Sequence, residues 1–252
     1  MAEGHLTAPV SPPVAYLLAV IFVAALIRSA LGFGEALVAV PLLALRLPIR
    51  VAAPLAVLVS ITIAVLIVAQ DWRDVDARSA GWLVTATLPG IPVGLWLLTA
   101  VDGRLVKAVL ALVIGGFAAY SLVRRGPPAP ERHPLPWLIG CGFCAGVLGG
   151  AYGMNGPPLA VYGSLRAWSP ARFRATLQAY FLPASLVGMA GYWMAGLWSA
   201  TVNHAFLLAL PAVVAGIVAG RIIHRRIEGR SFARVVFGGL ILTSLALLAQ
   251  AL

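Results

Sequence analysis

The chain has 252 residues, 61% of them hydrophobic and 10% charged, with a formal net charge of +10. A water-soluble domain carries about a quarter charged residues, so this composition excludes an ordinary soluble globule and predicts an all-α polytopic membrane protein. The positive charge is not a nucleic-acid signal. Nearly all of it is Arg in short connections between apolar runs, where basic residues set membrane orientation and meet anionic lipid.

Residues 1–13 form an N-terminal tail without Lys or Arg. It lacks the basic region of a cleaved signal peptide, so the first apolar run is expected to remain as a span. Apolar runs follow at 14–31, 36–45, 51–69, 80–100, 105–123, 136–151, 157–165, 173–198, 202–222 and 232–251. About eight to ten membrane segments are expected, since a straight crossing takes about 20 residues. The runs 36–45 and 157–165 are too short for one.

The polar, proline-rich stretch 124–135 is the one clear linker. It separates a first transmembrane repeat, 14–123, from a second, 136–252. The halves echo each other at a nearly constant offset: Pro41 with Pro158, Pro48-x-Arg50 with Pro170-x-Arg172, and Pro89 and Gly94 with Pro211 and Gly216. Asp102-Gly103-Arg104 likewise returns as Glu228-Gly229-Arg230. Counting basic residues on each side fits inverted and parallel halves almost equally. Inversion is preferred, because broken helices in secondary transporters often accompany it.

Each half carries a glycine-rich break followed by a proline. The first reads Leu31-Gly32-Phe33-Gly34-Glu35 and continues to Pro41. The second runs through Gly149, Gly150, Gly153, Asn155, Gly156, Pro157 and Pro158. Backbone polar groups bared in hydrocarbon find no water, so such breaks survive where they are buried in protein or line a cavity. Two at matching positions point to a binding site.

Glu35 is the only acidic residue inside an apolar stretch. An intramembrane carboxylate suggests function, here proton coupling; alternatively it caps the following helix or pairs with Arg28, seven residues earlier. Arg28 itself reads either as an anion holder or, preferentially, as a side chain snorkelling to the headgroups. Asn155 and Pro157 suit a helix start near Gly156. Free N–H groups there would hold an anion; otherwise the glycines serve close helix packing.

Gln178, Tyr180, Ser60 and Thr62 are polar groups within spans that could complete a site, or else hydrogen-bond between helices, and Gln178 is the one added to the candidate binding set. Cys141-Gly142-Phe143-Cys144 allows a thiol-redox reading, but reads better as small residues at a helix contact beside Gly140, Gly142 and Gly146. His204 and His224 border loops. Trp72, Trp82, Trp168 and Trp198 sit near run ends, as an interfacial belt does.

The paired signatures, Gly-x-Gly with Pro41 after it and Gly-Gly-x-x-Gly-x-x-Gly-Pro-Pro-x-x-x-Tyr ending at Tyr162, resemble those of the sulfite exporter TauE/SafE family. The resemblance extends over essentially the whole chain. It implies a multi-pass protein of the bacterial inner membrane that moves small anions such as sulfite and organosulfonates. By position, it points to Gly32, Gly34 and Pro41, and to Gly149, Gly150, Gly153, Gly156, Pro157 and Pro158. Glu35 departs from the further small residues usual in that motif, and would repel an anion unless protonated.

The reading is therefore a secondary transporter of a small anion by alternating access, not an enzyme, with proton coupling through Glu35. It uses no cofactor and no metal, and its partners are the lipid bilayer, the anionic substrate and protons; a homodimer is compatible with it. The alternatives are a membrane thiol-redox protein using Cys141 and Cys144, or a non-transporting accessory subunit.

Overall fold

The computed structural model describes residues 14–123, 135–165 and 170–226, together with Gly238, Ile241, Leu242, Ser244, Leu245, Leu248 and Ala249. The tail 1–13, nearly all of the linker 124–135 and most of the run 232–251 lie outside the described residues. Ten α-helices follow in order among them: α1 (Val14–Leu31), α2 (Glu35–Ala44), α3 (Ile49–Asp71), α4 (Ala77–Thr87) and α5 (Gly90–Ala100) come first. Then come α6 (Gly103–Val123), α7 (Leu135–Tyr152), α8 (Gly156–Leu165), α9 (Pro170–Met194) and α10 (Ala200–Arg226). No strand occurs among the described residues.

Among the described residues, four helices are long and apolar enough to cross a bilayer: Val14–Leu31, Ile49–Ala69, Leu135–Tyr152 and Ala200–Ile223. The pair α4–α5, bent by 44° at the break, passes the same test when its two helices are taken together, as one broken span or a re-entrant loop. The sequence run 80–100 reads as one segment, and the bend corrects that reading. Pro89 has no N–H to donate into the preceding turn and its ring crowds that turn's carbonyl, so the helix restarts at Gly90. The protein is thus an all-helical, multi-pass membrane protein.

Glycine geometry ends both α1 and α7. The last helical bond of α1 runs from the Gly32 amide to the Arg28 carbonyl (2.7 Å). Gly32 and Gly34 then take φ of 87° and 102°, left-handed values that cost a side-chain-bearing residue about 1–2 kcal/mol. Gly153, at φ 69°, performs the same turn after α7. Each break is followed by a helix of ten residues, α2 or α8.

The helices interlock across the chain. α10 lies along α1, α5 along α7, and α3 against α9. Backbone approaches backbone at small residues in both long contacts. A Cβ on Gly216 or Gly220 would collide with the Phe22–Ser29 stretch of α1. One on Gly90 or Gly94 would collide with the α7 backbone at Phe143–Ala151; one on Gly142, Gly146 or Gly150 would strike α4–α5. Lipid tails are as apolar as Leu, so helix association here rests on such close van der Waals contact. One buried core is built mostly from α1, α2, α3 and α10, with residues of α5, α6, α7 and α9 joining it; a second is built mostly from α4, α7, α8 and α9, with Ala64 of α3.

Candidate functional site

The first break positions a buried charge pair. Arg28 lies in the last turn of α1 and Glu35 opens α2, so the left-handed turn between them folds the two side chains together. Arg28 is fully buried and Glu35 is 4% exposed. Their side chains form an ion pair through Arg28 Nη1 and Glu35 Oε1. This corrects the reading of Arg28 as snorkelling. The guanidinium finds an anion and further acceptors inside the protein, so nothing draws it to the headgroups.

Three more side chains complete its surroundings. Arg28 Nε and Nη2 both donate to Gln178 Oε1, at 3.0 and 2.6 Å. Nη1 also donates to Ser60 Oγ at 2.6 Å. The guanidinium carbon stands 4.6 Å from the centre of the Phe181 ring, a cation–π distance. Gln178 Nε2 in turn donates to the Gly32 carbonyl at 2.7 Å, which holds the break itself. Ser60 Oγ lies 3.4 Å from Ser185 Oγ.

The second break has a separate polar chain. Asn155 Nδ2 donates to the Tyr180 hydroxyl at 3.3 Å, and that hydroxyl is 2.8 Å from Thr87 Oγ1. Thr87 is bonded to the Leu83 and Gly142 carbonyls, at 2.8 and 3.0 Å. Asn155 is thereby connected to the last turn of α4, next to the 44° bend. Its amide also rests on Gly149, where an added Cβ would come within 2.7 Å of Nδ2. The Gly149 carbonyl accepts from the Tyr192 hydroxyl at 3.1 Å.

The two breaks meet. A cavity of about 10 Å³ lies between them, lined by Gly34 to Leu37 from the first, Gly153 to Gly156 from the second, Ser60 of α3 and Phe181 of α9. That is room for about one water, so the site is closed in this conformation. Phe33 of the first break lies over Gly156 of the second, where an added Cβ would sit 3.5 Å from the ring.

Of the residues singled out in the sequence, Gly34, Glu35, Gly153, Asn155 and Gly156 line this cavity. Gln178 reaches it through Arg28, and Gly32 through Gln178. Gly149 supports Asn155 from behind. Gly150 faces the backbone of α5 at Ile91, and Pro157 is buried in the first turn of α8 outside the lining. Thr62 bonds back to the Leu58 carbonyl of its own helix.

The donor balance differs from the sequence expectation. Pro157 and Pro158 have no N–H, which depletes the first turn of α8. Glu35, Ala36 and Leu37 each carry one, and all three line the cavity.

The sequence names Arg28 and Ser60 but leaves both outside the binding set, and Phe181 and Thr87 go unremarked as site components. Only Arg28 left a signal, its seven-residue spacing from Glu35, which puts both on roughly one helical face. Cys141 is buried and Cys144 exposed, both with free thiols. Gly142 and Gly146 do form the expected helix contact, whereas Gly140 has nothing within 4 Å. No group of three or more metal-ligating side chains occurs among the described residues.

Comparison with known proteins adds an independent line. The family profile described as "Sulfite exporter TauE/SafE" matches residues 17–247. The chain is 28% identical over 174 residues to a protein of Cupriavidus necator described as "Probable sulfite/organosulfonate exporter TauE"; the alignment covers 68% of this chain and 66% of that one, just under two thirds of its length. It is 27% identical over 179 residues to the "Probable inner membrane transporter protein TsaS" of Comamonas testosteroni, covering 70% of this chain and 74% of that one. No solved structure matches.

Proposed function

Because the chain belongs to the sulfite exporter TauE/SafE family, we propose that it is a secondary transporter of a small anion, sulfite or an organosulfonate, working by alternating access around the two helix breaks. The observation that carries this reading is the meeting of the breaks. Segments far apart in sequence, Gly34–Leu37 and Gly153–Gly156, close on one cavity beside one buried ion pair. Irregular backbone at membrane depth belongs where it lines a cavity, and an intramembrane ion pair belongs on a transport path.

The two halves act as inverted copies, 14–123 and 136–252. Support comes from helix spacing: Val14 and Leu135, Glu35 and Gly156, and Ile49 and Pro170 open α1/α7, α2/α8 and α3/α9 at an identical interval. The reciprocal contacts of α10 with α1 and of α5 with α7 support it too. Alternating access is a rocking of these halves about the cavity. The water-sized cavity supports such movement, since sulfite does not fit the closed form.

Glu35 couples transport to protons. The membrane is the bacterial inner membrane, as the bacterial relatives suggest. The test is flux in proteoliposomes with sulfite, simple alkanesulfonates, chloride and acetate, with and without an imposed proton gradient. Sulfite or sulfonate flux that responds to the gradient is expected. Equal leak in protein-free vesicles for every anion would refute the reading.

A further inference from the structure

Resting on that reading, we propose that Arg28 is the residue that binds the transported anion and that Glu35 is its internal stand-in, so that each anion bound brings one proton onto Glu35. The guanidinium is held in one orientation by its partners. Its Nε and Nη2 edge is turned to Gln178, which does not line the cavity. Its Nη1 is turned to Glu35 and Ser60, which both do. Gln178 is anchored on the Gly32 carbonyl and Phe181 packs against the guanidinium face. Gln178 is thus a positioning residue that turns one nitrogen of Arg28 to two residues of the cavity lining, with Arg28 itself standing directly behind them.

A carboxylate and a sulfonate or sulfite offer the same thing to that nitrogen: an anionic oxygen accepting a charge-assisted hydrogen bond. Glu35 occupies the position in the closed form. An anion entering the cavity displaces its oxygen from Nη1, leaving two negative charges at contact in a site nearly free of water. Like charges so placed cannot both persist. The carboxylate takes a proton from solution, becomes neutral, and can donate its new O–H to the anion. When the anion leaves, Arg28 recaptures the ionised carboxylate and the proton departs.

The groups around Glu35 leave Arg28 as the charge that governs it. Ser60 faces it from α3, Phe181 from α9, and Met154 to Gly156 from the second break. From α6, Phe117 packs on Phe33. Tyr180 turns its hydroxyl to Thr87 and Asn155, and Tyr16 donates to the Leu42 carbonyl near the end of α2. The second cation nearby is Arg174 of α9, whose aliphatic stem covers Gly32.

The experiment measures binding of ethanesulfonate, whose single charge does not titrate over the range used, to the purified full-length protein between pH 5 and 8. For the wild type, apparent Kd should rise with pH, toward tenfold per unit, with one proton taken up per anion in weak buffer. The Glu35→Gln variant should bind at least as tightly as the wild type does at low pH, with a flat pH profile and no proton uptake. Arg28→Gln in the Glu35→Gln background, which introduces no unpaired charge, should lose binding at least tenfold. Proton uptake absent from the wild type, or a Glu35→Gln variant that keeps the wild-type slope, would overturn the inference; so would full binding by the double variant. If wild-type proteoliposomes carry no anion at all, the transport reading fails; if they carry anions while these binding results fail, only this inference falls.

Discussion

Gln178 receives two hydrogen bonds from Arg28 on one oxygen, across 150 residues of sequence, and passes the connection on to the Gly32 carbonyl. One amide thereby joins the end of α1, the first helix break and the middle of α9. Gln178→Leu should leave two Arg28 donors and a backbone carbonyl without these partners. The expected cost is about 2 kcal/mol or more, above the ~0.6 kcal/mol typical of a single hydrogen bond between membrane helices. Thermal unfolding in detergent should show it, and anion affinity should fall with it.

Removing one member of the buried pair should hurt more than removing both. Arg28→Met alone strands the Glu35 carboxylate, at a cost of about 3 kcal/mol. Arg28→Met combined with Glu35→Leu removes charge and counter-charge together and should recover most of that stability. Flux should stay absent in both. A double variant as unstable as the single one would mean that packing, not charge, sets the cost.

Gly156→Leu should abolish flux without preventing insertion. Its side chain must enter the space between Phe33 and the cavity lining, and so hold the breaks apart or fill the site. The check pairs a flux assay with size-exclusion chromatography of the same preparation. A correctly inserted variant with wild-type flux would show that the anion does not pass between the breaks.

The interlocked glycines should divide cleanly by surroundings. Gly146→Ala drives a methyl into the Thr87 carbonyl and should destabilise by about 1–3 kcal/mol, the usual range for overpacking. Gly140→Ala and Gly116→Ala have nothing within 4 Å of the new methyl and should be tolerated. Melting temperatures of the three single variants decide it.

Cys141→Ser with Cys144→Ser should retain full transport. The two thiols are free, one buried and one exposed, and neither lines the cavity. Loss of flux in a folded double variant would revive a thiol-dependent mechanism.

Composition alone determined that this chain lives in a membrane, because so few charged residues cannot clothe a water-facing surface. Local backbone chemistry determined where the short helices begin. Gly32, Gly34 and Gly153 supply left-handed turns, and α2 and α8 open at Glu35 and Gly156, close to the positions read from the residues. Those are short-range effects, legible within a few residues. The bend at Pro89 was equally local and could have been read, but the hydrophobic run across it masked the break.

What only the tertiary structure decided is the company each polar group keeps. Arg28 by itself is as consistent with a headgroup anchor as with a buried site, because a guanidinium's energy depends on whether acceptors surround it. Ser60 of α3 and Gln178 of α9 supply them, and no spacing in the sequence links those helices to the end of α1. The chain displays its one intramembrane carboxylate openly; the fold selects the cation it answers to.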